Sequence, residues 1–313
     1  MSLINKLKSS ILGLSIGDAL GVPYEFISRD RMKKYPAFDM IGNGTHNKKA
    51  GTWSDDTSLT LCLLDSLNNK EIDYNDIMNK FVLWYDYAYY TADNDTFDIG
   101  ITTSEAIINY KTKNIDAINC GMSDEMSNGN GSLMRILPLS FYIVKYFNGN
   151  LFDDNIIKIL YNVSSLTHSH KRSLIACVIY TAIAINLINN IDIENAIKKS
   201  LNDSREYYKN EEELNYFDRI FESNFKNLSE NCIESTGYVV HTLEASIWIL
   251  LNTNNYKASI LKAVNLGNDT DTIEAVTGGL AGLYYGIESI PREWIDILLN
   301  KDLIISICNK FNY

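Results

Sequence analysis

Proline is scarce in this sequence, with four residues among 313. Strict apolar/polar alternation, the mark of a half-buried strand, is also hard to find, which leaves little room for a sheet. Cysteine is present but unpatterned. Cys62, Cys120, Cys177, Cys232 and Cys308 form no C-x-x-C pair, so neither a zinc knuckle nor a disulfide framework is suggested, and reduced thiols in the cytoplasm are the expectation. Basic charge is in deficit: 28 Lys and Arg face 39 Asp and Glu, a net charge of −11. Nucleic acid and anionic membrane both demand a basic surface, so neither is expected as a partner. Cations, and a small anion held by local groups, remain open. Long hydrophobic runs are missing too. The longest, Leu174 to Ile188, is short for a bilayer span and reads as a buried helix. The chain start is amphipathic and soon meets Asp18, without the unbroken apolar core of a signal peptide. Asn268-Asp269-Thr270 fits a glycosylation acceptor, which has no meaning without secretion.

What is present is helical spacing. Leu59, Cys62, Leu63 and Leu67 share one face, as do Ile77, Phe81, Val82 and Tyr85, and again Ala245, Trp248, Ile249 and Asn252. Hydrophobic residues make up 46% of the chain, enough for a sizeable core, and nothing marks a linker or repeat. The expectation is one all-α domain over residues 1–313. Asn-Gly pairs at 43, 128, 130 and 148 mark loops. The polar segment 202–234 carries aromatics at helical intervals and reads as a surface helix pair. Two glycine stripes stand out: Gly13, Gly17 and Gly21, then Gly278, Gly282 and Gly286. Glycine inside a helix costs about 1 kcal/mol relative to alanine. Such stripes predict two helices packed backbone to backbone near the centre of the fold.

The stretch "WSDDTSLTLCLLDSL" places Asp55 and Asp56 side by side before an apolar helix. In mid-helix they would point about 100° apart. At a helix start the geometry loosens, with Ser54 as cap and exposed N–H groups favouring the acids. Capping alone explains this motif. A second motif changes the balance: "GNDTDTIEAVTGGLAGLYYG" again sets acids, Asp269 and Asp271, and a hydroxyl, Thr272, before an apolar helix. No Gly-x5-Glu continuation follows, so this is not a calcium loop. With Glu25 from "GDALGVPYEF", the set offers oxygen ligands only, which suits Mg²⁺, Mn²⁺ or Ca²⁺ rather than zinc or copper. Two ions sharing such a set would offset the repulsion among the acids.

These blocks, with "GLSIGDALG", "FDIGITTSEAI", "GNGSLMRILPL" and "THSHKRSLIA" between them, resemble in order and over almost the whole chain the signatures of the ADP-ribosylglycohydrolases. The resemblance implies a single compact orthogonal helical bundle with a central di-metal cleft, and hydrolysis of the bond between C1″ of ADP-ribose and an acceptor. Carried over by motif, the metal ligands would be Ser54, Asp55, Asp56, Asp269, Asp271 and Thr272, holding two divalent cations, Mg²⁺ or Mn²⁺. Serine stands at 54 where many members have threonine, and its hydroxyl keeps the ligand oxygen. Glu25 matches the glutamate implicated in acid/base work; Asp55, Asp56 and Asp271 are counted with it as catalytic. Water attacks C1″ or opens the ring while a carboxylate manages the proton.

For the rest of the substrate, Asn130, Gly131 and Ser132 in "SNGNGSLMRILPL" offer backbone N–H groups suited to phosphate, while Gly129 reads as plain loop. Arg135 either pairs with phosphate or braces a buried acid. His168 and His170 have no matching pair for zinc, and the resemblance makes His168 a polar wall of the cleft. Tyr238 and His241 either touch adenine or ribose or pack in the core. Asp98 corresponds to a family acid near the substrate, where it would meet an acceptor guanidinium or else cap a helix. The implied partner is an ADP-ribosylated protein, modified on arginine or serine, or a small molecule, acted on by a monomer. Rival readings are a non-enzymatic, crystallin-like or ADP-ribose-binding relative, another Mg²⁺-dependent nucleotide hydrolase, and, more distantly, a glycosyltransferase using its D-x-D.

Overall fold

The computed structural model describes residues 1–68, 70–113 and 115–311. Among these residues there are fourteen α-helices and no named strand. They are α1 (Leu3–Gly21), α2 (Arg29–Lys34), α3 (Asp55–Ser66), α4 (Tyr74–Tyr87), α5 (Ile101–Lys113), α6 (Leu137–Phe147) and α7 (Asp154–Ser165). The chain continues with α8 (Lys171–Ile188), α9 (Ile193–Tyr207), α10 (Val239–Leu251), α11 (Tyr256–Val264), α12 (Thr270–Tyr285), α13 (Arg292–Ile297) and α14 (Lys301–Lys310).

Short polar side chains start these helices. Asp73, Asp153, Asp192 and Asn255 each accept hydrogen bonds from first-turn N–H groups of α4, α7, α9 and α11, a contribution of about 1 kcal/mol per cap. Ala88 and Asn148 end α4 and α6 in the left-handed conformation. The apolar faces read from spacing lie on helices, save that Leu67 and Asn252 fall one residue past the ends of α3 and α10, and Leu59, Cys62, Leu63, Ile77 and Phe81 are fully buried. α8 is long and apolar enough to cross a membrane, but 94% of it is buried inside the protein, where it serves as a core helix.

The glycine stripes do bring two helices together. α1 and α12 lie along each other at the centre of the fold. A Cβ on Gly13 would stand 2.5 Å from the carbonyl oxygen of Gly278, and one on Gly21 would stand 2.5 Å from the amide nitrogen of Asp271. No side chain fits there, so glycine is the only residue compatible with this approach. The second stripe ends one glycine early: Gly286, at φ +80°, terminates α12 instead of joining the seam. The segment 202–234 differs more. Its first part completes α9, and the rest is 3₁₀ turns from Glu212 to Cys232, not a second α-helix. Its apolar residues are spaced closely enough to bury Leu214, Phe217 and Ile220 without α-helical winding.

Candidate active site

Two helix starts face one another. At α3, Ser54 is the N-cap; its hydroxyl oxygen accepts from the N–H of Asp56 at 3.3 Å. The start is fixed by Asp18 of α1. One Asp18 oxygen accepts from the N–H of Ser54 at 2.9 Å; the other accepts from the N–H and the hydroxyl of Thr57 at 3.0 and 2.6 Å. At α12, Asp269 precedes the first turn, and Asn268 before it has φ +65°. The Phe26 N–H donates to the Asn268 carbonyl at 2.6 Å and the Asn268 N–H to the Ile27 carbonyl at 2.8 Å. This pairing sets Glu25 beside Asp269.

The hydroxyl of Thr272 donates to Oδ2 of Asp56 at 3.2 Å, tying the two acidic motifs together. Asn130 donates to Oδ2 of Asp269 at 2.7 Å and to the Thr242 hydroxyl at 2.9 Å. Carboxylate oxygens of Glu25, Asp269 and Asp271 lie within 4.8 Å of one another. Burial, reinforced by neighbouring carboxylates, pushes Asp55, Asp56 and Asp271 well above the usual carboxylate range. Burial also raises Asp269, and it lifts Glu25 to about 7 against the opposing hydrogen bond from His46. Oδ1 of Asp56 and Oδ2 of Asp271 are buried with no hydrogen-bond partner. A buried, unpaired carboxylate oxygen is costly. Two such atoms among clustered acids, at two helix N-termini, fit hard divalent cations in an all-oxygen site.

The cluster forms one wall of a cavity of about 620 Å³. Glu25, Asp55, Asp98, Asn130, Gly131, His168, Asp269 and Thr272 line it, whereas Asp56 and Asp271 stand behind the wall, fully buried. His168 is buried, and burial and the Arg135 charge push its pKa down to about 3, so the ring is neutral. Its Nδ1 is hydrogen-bonded to the Thr167 hydroxyl at 2.8 Å. Gly131 lies against this ring: a Cβ there would come within 2.8 Å of Cε1. Asp98 holds φ +58° at the cavity edge, too far before α5 to be its N-cap.

Ser132, Tyr238, Arg135 and His170 lie outside the cavity lining. The Ser132 hydroxyl lies 3.5 Å from the Cys177 sulfur, so this residue can serve a phosphate only through its backbone N–H. Tyr238 is also outside the lining. Its ring packs edge-on to His241 at 4.9 Å and its hydroxyl meets Arg172 at 3.3 Å, while its flanking backbone holds the 128–130 loop. Arg135 is fully buried outside the cavity lining and pairs with no acid among the described residues; it donates to the carbonyls of Gly131 and Val163 and lies over the Phe81 ring. His170 caps α8, accepting from the Arg172 N–H at 3.2 Å. Sequence reading missed Asp18 and His46. His46 Nε2 is hydrogen-bonded to Oε2 of Glu25 and stands 3.9 Å from Asp98. Asp18 sits inside the block "GLSIGDALG", as the one acid of a mostly apolar helix, and that was its signal; no motif marks His46.

A sequence model of the ADP-ribosylglycohydrolases matches residues 1–312. The chain belongs to the ADP-ribosylglycohydrolase family. Among its relatives is a Serratia proteamaculans (strain 568) protein named ADP-ribosylarginine hydrolase Tri1, 31% identical over 99% of this chain and 80% of that protein. Another, from Rhodospirillum rubrum, is the ADP-ribosyl-[dinitrogen reductase] glycohydrolase, 27% identical over 95% of this chain and 91% of the relative. A solved structure described as an ADP-ribosylglycohydrolase-related protein complex is 27% identical and superposes with a TM-score of 0.79, covering 99% of this chain and 97% of that one. The all-α bundle is thus the ADP-ribosylglycohydrolase fold, and the chain is a glycohydrolase of this family.

Proposed function

We infer that this ADP-ribosylglycohydrolase is a divalent-cation-dependent hydrolase that releases ADP-ribose from modified arginine. The observation that carries the reading is the pair of unpartnered, buried oxygens on Asp56 and Asp271 behind a cavity wall of further carboxylates. Ser54, Asp55, Asp56, Asp269, Asp271 and Thr272 would hold two cations, Mg²⁺ or Mn²⁺, which when bound supply Lewis-acid polarisation and charge neutralisation. Glu25 takes a proton from the attacking water, and the acceptor nitrogen leaves C1″ carrying a proton.

The preference for arginine rests on relatives at 31% and 32% identity that are named ADP-ribosylarginine hydrolases. It also rests on Asp98 at the cavity edge, where a carboxylate can receive a guanidinium. Asn130, Gly131 and neutral His168 shape the wall that would meet the ribose and diphosphate. Five unpaired cysteines, four of them buried, suit a reducing compartment, and we place the protein in the cytoplasm.

The test is release of ADP-ribose from ADP-ribosyl-arginine and ADP-ribosyl-serine peptides, with Mg²⁺, Mn²⁺ or EDTA, and with Asp269→Ala. Release from the arginine peptide that stops in EDTA and in the variant supports the reading. Release that persists in EDTA overturns the cation requirement, and preference for the serine peptide overturns the acceptor.

A further inference from the structure

One loop beside the cavity, residues 42–48, is built as a clamp. Asn43 and Lys48 form an antiparallel bridge, with the Asn43 N–H donating to the Lys48 carbonyl at 2.5 Å. Asn43, Gly44 and Asn47 all have positive φ, of 69°, 62° and 52°, a sharp reversal that Asn and Gly tolerate. Gly44 rests on Pro23, so closely that a Cβ would stand 2.5 Å from the Pro23 Cα. The Thr45 N–H donates to the Pro23 carbonyl at 3.1 Å.

The loop tip then grips Glu25 twice. The Thr45 hydroxyl donates to the Glu25 carbonyl at 2.6 Å, and His46 Nε2 is hydrogen-bonded to Oε2 of the carboxylate. The His46 ring is itself braced. It packs at a tilt against Phe97, centroids 5.2 Å apart. Lys48 lies 4.5 Å over the Phe97 ring while its ammonium holds Asp93 and Asp95. Among the described residues the Glu25 carboxylate makes no other hydrogen bond. A glutamate side chain with three rotatable bonds and no partner would sample several rotamers, and a proton-transfer group must hold its position to act.

We propose that His46 is a positioning residue for Glu25, fixing one carboxylate oxygen so that the other stays turned to the Asp269 and Asp271 side of the cavity. This rests on the reading of Glu25 as the proton-transfer group. Glutamine is the informative replacement at 46, because its amide nitrogen donates from nearly the place of Nε2.

The experiment has two arms, on the full chain. Crystal structures of the wild type, His46→Ala and His46→Gln without substrate show the Glu25 carboxylate directly. Steady-state release of ADP-ribose from the arginine peptide gives kcat and KM. In His46→Ala we expect the Glu25 carboxylate to leave its seat and kcat to fall about 10–100-fold, the usual effect of losing an orienting partner. KM is expected to move less than about threefold, since orientation acts on the transition state. His46→Gln is expected to restore the seat and most of kcat. An unmoved Glu25 in His46→Ala overturns the proposal, as does a glutamine variant no better than alanine. A wild type that releases no ADP-ribose strikes the hydrolase reading, and the crystal structures still decide the role of His46.

Discussion

Asp18 of α1 binds Thr57 of α3 twice through a single oxygen, Oδ2, taking hydrogen bonds from its N–H at 3.0 Å and its hydroxyl at 2.6 Å. Oδ1 takes the N–H of Ser54 at 2.9 Å, so one buried acid fixes the backbone on both sides of Asp55 and Asp56. Asp18→Ala leaves those donors buried without partners. Hydrogen bonds to charged groups are worth about 1.5–3 kcal/mol each, so a loss of at least about 3 kcal/mol is expected in urea unfolding. Asp18→Asn keeps one acceptor oxygen and should lose less. A loss below about 1 kcal/mol in the alanine variant would mean that α3 is anchored by other contacts.

The seam between α1 and α12 gives a second expectation. A Cβ on Gly17 would lie 2.7 Å from the carbonyl carbon of Glu274. Backbone cannot move aside as a side-chain tip can, so Gly17→Ala should destabilise by about 3 kcal/mol or more, the upper end for overpacking. Gly100→Ala is the control: the nearest atom to its added Cβ would be the Thr103 hydroxyl oxygen at 3.8 Å. Denaturant midpoints for the two variants should differ clearly, and equal midpoints would show that the seam can open without cost.

Cation binding should change the sign of one substitution. In EDTA at pH 8, Asp271→Asn removes the cost of keeping a buried acid among Glu25, Asp56 and Asp269, which burial and those neighbours push toward its neutral form, and the variant should melt higher than the wild type. With cation at 100 times its dissociation constant, the wild type should gain about 2.7 kcal/mol. The variant should gain little, and the order of melting temperatures should reverse. Thermal melts with and without Mg²⁺ or Mn²⁺ read this directly. An unreversed order would remove Asp271 from the cation site.

A separate pH effect belongs to Glu244 on α10. Burial pushes its pKa up to about 7, against the nearby Arg219 charge, from an ordinary 4.5. Arg219 Nη1 stands 3.4 Å from Oε2 yet makes no hydrogen bond to it. The native state therefore keeps a proton that the unfolded chain has released between about pH 4.5 and pH 7. Stability should fall as pH rises through that window and level off above it, by up to about 3 kcal/mol at 1.36 kcal/mol per pH unit. Glu244→Gln should flatten this slope and melt higher than the wild type at pH 8 but not at pH 4.5. An unchanged slope between pH 5 and 7 would assign the dependence to other groups.

Much of the frame was legible in the sequence because it is periodic. Helical spacing gave the apolar faces, and glycine every fourth residue gave the α1–α12 seam. The approach of Asp55 and Asp269 to one cavity could be expected from two similar acid-hydroxyl motifs. The hydroxyl of Thr272 reaching Asp56 shows how closely those motifs meet. Contacts made through loops were not legible. The Glu25–His46 bond depends on a reversal at Asn43 and Gly44 and on Gly44 settling against Pro23. Tyr238 was misplaced for a related reason: a motif fixes where the backbone passes, while the direction of a side chain is set by neighbours such as Arg172 and His241. Likewise the 212–232 region has the spacing of a helix, but tertiary packing winds it as 3₁₀ turns.

The seam also orders events during synthesis. Gly17 and Gly21 leave the ribosome well before Glu274 and Asp271, their neighbours across the seam. Until then α1 has an open strip of bare backbone, and Glu25, Asp55 and Asp56 lack the acids that complete their cluster. A nascent chain halted before residue 269 therefore carries only Glu25, Asp55 and Asp56 of the acidic cluster and leaves the glycine strip of α1 uncovered, the kind of exposed surface that chaperones bind.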